Sequence, residues 1–101
     1  MTYPSEITEE VLQKNAHITD EEIQRDIDDT RAEIVSLEQQ SEGYQLIADA
    51  NPSSPDGKMA YFRQIGAEQG ITKRRAFVVF LEALLKARQE TTMEEPNEID
   101  G

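Results

Sequence analysis

Four carboxylates, Glu22, Asp26, Asp29 and Glu33, recur at spacings of four, three and four residues, with Asp28 close beside them. On an α-helix that spacing places them on one face, roughly 5 to 6 Å apart along the axis at a rise of ~1.5 Å per residue. A straight row of negative charge suits electrostatic docking on a basic protein surface, including a groove that otherwise holds a nucleic-acid phosphate chain. It suits a metal ion badly, because hard cations need ligands that converge on one point and a row diverges. The competing reading is a solvated helix face that keeps the chain soluble.

The opposite charge is concentrated in Lys73, Arg74 and Arg75. Such a triplet can hold a phosphate backbone, dock an acidic partner, or pair with acids of its own chain. The third reading is preferred, because residues 1–50 carry 13 acids against 3 bases whereas residues 51–90 carry 4 acids against 7 bases. Over the whole chain the formal net charge is −11, which opposes contact with nucleic acid or an anionic membrane.

Catalytic chemistry has little to build on. His17 is the single histidine, and no cysteine is present to act as nucleophile, thiolate ligand or disulfide partner. The chain has no phosphate-cradling glycine loop, no dinucleotide fingerprint and no His-Glu metal pair. Asp26-Ile27-Asp28-Asp29 lacks the glycine and the distant Glu of a calcium loop. The expectation is a non-enzymatic protein without cofactor or metal.

The elements that carry these charges read as helices. Thr8 ahead of Glu9 and Glu10 caps a short helical turn, and Thr19-Asp20-Glu21-Glu22 forms a capping box at the start of a long helix. From there Ile23, Ile27, Thr30, Ile34, Leu37, Ser41 and Tyr44 alternate spacings of four and three, a heptad seam over three repeats. Gly43 invites a kink or break near its end, and Asn51-Pro52-Ser53-Ser54-Pro55 terminates it. Ser54 and Pro55 open a third helix with Met59, Phe62 and Ile65 as its apolar face, Tyr61 beside them, and Gly70 as its stop. Thr72 then caps a fourth helix lined by Phe77, Phe80, Leu81, Leu84 and Leu85.

The segment from Ile65 to Ala76 resembles the turn of helix-turn-helix DNA-binding proteins at Ile65, Gly70, Ile71 and Thr72, with Val79 further on. The resemblance implies a recognition helix after Thr72. The chain departs from the pattern at Gln69, where the family has an apolar packing residue, and at Phe77, Val78 and Phe80, where base-reading side chains belong.

The expected architecture is all-α, a small bundle of three to four helices with one long heptad-patterned helix, in a dimeric state. Residues 1–18 form an N-terminal arm with a short helical turn, 19–90 the helical domain and 91–101 a disordered acidic tail. Ile23, Ile27, Ile34, Leu37 and Tyr44, together with Phe77, Phe80, Leu81 and Leu84, supply the core or a dimer seam. No apolar stretch approaches the ~20 residues of a membrane span, and no basic flank precedes an apolar run at the N-terminus, so a cytoplasmic protein is expected.

Three functions follow from these surfaces. The leading one is a protein-binding module, an inhibitor by analogy with small acidic counter-defence proteins of phages, whose acidic face occupies a basic or nucleic-acid-binding surface of its partner. The second is an assembly subunit acting through helix-helix dimerisation, and the third a nucleic-acid binder acting through Lys73, Arg74 and Arg75.

Overall fold

The structure, a computed structural model, describes Tyr3, Pro4 and residues 6–100, with the side chains of residues 91–100 outside the description. The acidic tail expected over 91–101 lies on those residues. Helix α1 spans Glu9–Lys14, α2 Asp20–Ala50 and α3 Pro55–Asp100, and no strand occurs among the described residues. The protein is all-α, with two long helices. None of the described helices is long and apolar enough to cross a membrane.

The helix starts follow from their caps. The Thr8 hydroxyl accepts from the Val11 amide at 3.3 Å and the Thr19 hydroxyl from the Glu22 amide at 3.1 Å. Ser54 Oγ accepts from the Gly57 amide at 3.1 Å, and Pro55 occupies the first helical position, where its missing N–H costs nothing. Helix α2 runs through Gly43 without interruption until the proline-bounded turn at residues 51–54.

The expected stop at Gly70 and the fourth helix at Thr72 are corrected by the structure: α3 passes through both, and no described glycine adopts a positive φ. Buried positions explain this. Gly57, Ala60, Ala67 and Ile71 lie at spacings of three, seven and four, with Gln64 between them half-buried, so one face of an unbroken helix holds them all. A helical glycine costs about 1 kcal/mol, whereas burying an isoleucine side chain yields roughly 1.5 to 3 kcal/mol. Ile71, with 7% of its surface exposed, outweighs Gly70. Thr72 caps nothing; its hydroxyl donates to the Glu68 carbonyl at 3.1 Å, one turn back in the same helix. The resemblance to a helix-turn-helix fails at the same place, since the segment contains no turn.

The chain divides into two compact units, Met1–Asp28 with Phe77–Gly101, and Asp29–Ala76. In the first, Ile23, Ile27, Val78, Leu81 and Leu84 are buried. The Tyr3 ring stacks on Phe80 with centroids 5.2 Å apart and leans on Phe77 at 5.7 Å, leaving both phenylalanines half-buried. Arg88 donates to Asp20 Oδ1 at 2.8 Å and to the Asn15 carbonyl, tying α3 to the start of α2 and to the residue that ends α1.

The second unit is a helical hairpin. Thr30 is buried, and Ile34, Leu37, Ser41 and Tyr44 are half-buried along α2. Small residues on α3 bring the two backbones close. A Cβ added at Gly70 would sit 3.3 Å from Leu37 Cδ1, and one added at Gly57 would sit 1.7 Å from the Asn51 carbonyl oxygen.

Candidate protein-binding surfaces

The heptad seam of α2 turns inward, so the acids flanking it face outward. In the first unit Glu22, Asp26 and Asp28 are exposed, and in the second Asp29 and Glu33 are exposed. Asp28 accepts from Gln24 Nε2 at 3.1 Å, a contact within one turn of α2. Among the described residues Glu33 is the one member of the row joined to a cation, Arg74, at 2.7 Å. Glu22, Asp26 and Asp29 make no ion pair among the described residues.

The basic cluster lies mid-helix. Its cations therefore stand far from any helix N-terminus, and the dipole penalty that a cap at Thr72 would impose does not arise. Arg75 donates to Glu38 Oε2 at 2.9 Å, and Arg74 also reaches the Gly70 carbonyl at 3.2 Å. Lys73 is exposed. Two of the three cations thus meet acids of α2, one inside the expected row and one, Glu38, outside it.

Comparison with protein-family models, with curated proteins and with solved structures returns no match. The surfaces of the chain itself are what a functional reading has to work from.

One of those surfaces was not expected. Met59 and Phe62, read above as a buried face with Ile65, are 53% and 66% exposed, and Tyr61 is 55% exposed. The physical reason is the register of α3: Gly57, Ala60 and Ala67 take the inward positions and turn the large residues out. Tyr61 and Phe62 meet edge-on with centroids 5.8 Å apart. They border a groove of about 600 Å³ whose other walls include Gln45, Asp49, Lys58 and Gln64. Across it, Gln64 donates to Gln45 Oε1, and Gln45 Nε2 donates to both oxygens of Asp49 at 3.0 and 3.2 Å. A run of amides thereby joins the helices and holds the Asp49 carboxylate in place.

A sequence signal for this groove existed. The three-four spacing of Gly57, Ala60, Gln64, Ala67, Ile71 and Arg74 parallels that of α2, and it assigns Tyr61 and Phe62 to positions outside the seam. His17 is exposed, and no three of the described histidines and carboxylates are grouped to hold a metal ion.

Proposed function

We propose that this chain is a non-enzymatic, cytoplasmic protein-binding module whose acidic α2 face docks on a basic surface of another protein, with inhibition of a nucleic-acid-binding partner as its mode of action. The observation that supports this reading is the distribution of ion pairs. Arg74 and Arg75 meet Glu33 and Glu38, and Arg88 meets Asp20, while Glu22, Asp26, Asp28 and Asp29 are exposed and have no cation partner among the described residues. A row of carboxylates that is not neutralised at home attracts cations from outside, and does so most strongly at low ionic strength.

The same pairing weakens the alternative in which Lys73, Arg74 and Arg75 hold a nucleic acid, because two of the three already face carboxylates. Matched affinity captures from source-cell lysate test the proposal, with the wild-type chain and a variant carrying Glu22→Gln, Asp26→Asn, Asp29→Asn and Glu33→Gln as baits. A basic protein retained by the wild type, released by salt and bound at least about tenfold more weakly by the variant is the expected result. Equal retention with the same salt profile would sink it.

A further inference from the structure

Two aromatic rings left on the surface at one place, beside a groove, mark an interface. The chain has three tyrosines and three phenylalanines, so Tyr61 and Phe62 are a third of its aromatic residues. Tyr44, Phe77 and Phe80 are half-buried and Tyr3 is stacked on Phe80. Exposed aromatics grouped at a concave surface are the side chains that most often anchor protein contacts.

We infer that the groove between Tyr61, Phe62, Asp49 and Lys58 receives a second copy of this chain in a two-fold contact. Charge selects that occupant. Residues 49–65 carry Asp49, Asp56, Lys58 and Arg63, and Glu68, which also lines the groove, brings the local net charge to −1 on a chain whose formal charge is −11. Here, two copies approach with less of the repulsion they meet elsewhere. The groove wall bears an acid on α2, Asp49, and on α3 a base near the turn, Lys58, with a second acid, Glu68, further along. In a two-fold contact each surface meets its own image, and the register that sets Lys58 against the partner's Asp49 forms the complementary pair twice. Gln45 holds Asp49 ready for it.

Distance and area agree. Glu33 lies 16 positions before Asp49, about 24 Å along α2 and roughly three Debye lengths at physiological salt. A contact confined to the turn end of the hairpin keeps that part of the acidic row clear of its image. The exposed parts of the two rings amount to roughly 240 Å², close to a third of the ~800 Å² per partner of a standard interface. The inference does not rest on the acidic-face reading, and the two use different residues.

Light scattering and sedimentation equilibrium on the full chain, from low to high micromolar concentration, test it. The wild type is expected to reach a dimer mass. Tyr61→Ser with Phe62→Ser is expected to remain a monomer over the same range with an unchanged far-ultraviolet spectrum, since both side chains are exposed. Asp49→Lys alone and Lys58→Asp alone each weaken association about tenfold, and the two together in one chain restore it to within about threefold of wild type. A wild type that stays monomeric at high micromolar concentration overturns the inference and leaves the groove to another occupant. So does a double serine variant that dimerises as the wild type does, or a charge exchange without rescue. The amide variant of the acidic row is expected to dimerise normally, which separates this outcome from failure of the proposed function.

Discussion

Arg74 of α3 meets Glu33 of α2 across 41 positions of sequence, Nε to Oε2 at 2.7 Å, while its Nη1 donates to the Gly70 carbonyl of its own helix. One guanidinium thus removes a member from the acidic row and a member from the basic cluster, and it bridges a carboxylate of α2 to the backbone of α3. It also closes the four-three-four row at its Glu33 end, while Glu42 and Asp49 further along α2 stay exposed.

The pair is half in solvent, with side-chain exposures of 39% for Arg74 and 56% for Glu33, so its own contribution to stability is small. A double-mutant cycle with Glu33→Gln and Arg74→Ala is expected to give a coupling of about 0.2 to 1 kcal/mol that shrinks with added salt. A coupling several times larger in urea denaturation would show that the pair holds the hairpin together.

Glycine substitutions separate open helix surface from close approach. Gly43→Ala and Gly66→Ala meet nothing within 4 Å of the new methyl group. Each is expected to raise stability by about 0.5 to 1 kcal/mol through helix propensity and a less mobile unfolded chain. Gly57→Ala drives its Cβ into the Asn51 carbonyl and is expected to cost about 2 kcal/mol or more. Urea midpoints of the three variants give the comparison, and a stabilised Gly57→Ala would contradict the turn geometry.

Arg88→Ala is expected to destabilise the protein by about 1 to 3 kcal/mol, because the half-buried guanidinium serves both Asp20 and the Asn15 carbonyl. Asp20→Asn, changing the more exposed partner, is expected to cost less. Thermal unfolding of the two variants against wild type checks the order.

Ser54→Ala removes the acceptor of the Gly57 amide at the first turn of α3. A loss of about 1 kcal/mol is expected, with Ser54→Asp close to neutral because aspartate caps as well and favours the positive end of the helix dipole. Equal losses in both variants would mean that the hydroxyl contributes something other than a cap.

What the order of residues determined by itself is local. The caps at Thr8, Thr19 and Ser54, the seam from Ile23 to Tyr44 and the turn at residues 51–54 depend on hydrogen bonds and periodicities within a few positions, and all are legible in the sequence alone. Gly70 and Thr72 mislead because a local stop signal worth about 1 kcal/mol carries no information about the burial of Ile71, which depends on the α2 surface across the hairpin. For the same reason the sequence assigns Met59 and Phe62 to an inward face: apolar character is a property of the residue, but which side of a helix is covered depends on its neighbour. Only the tertiary structure decided which acids Arg74 and Arg75 meet, since residues 41 and 37 positions apart are brought together by the hairpin and by nothing nearer in the chain.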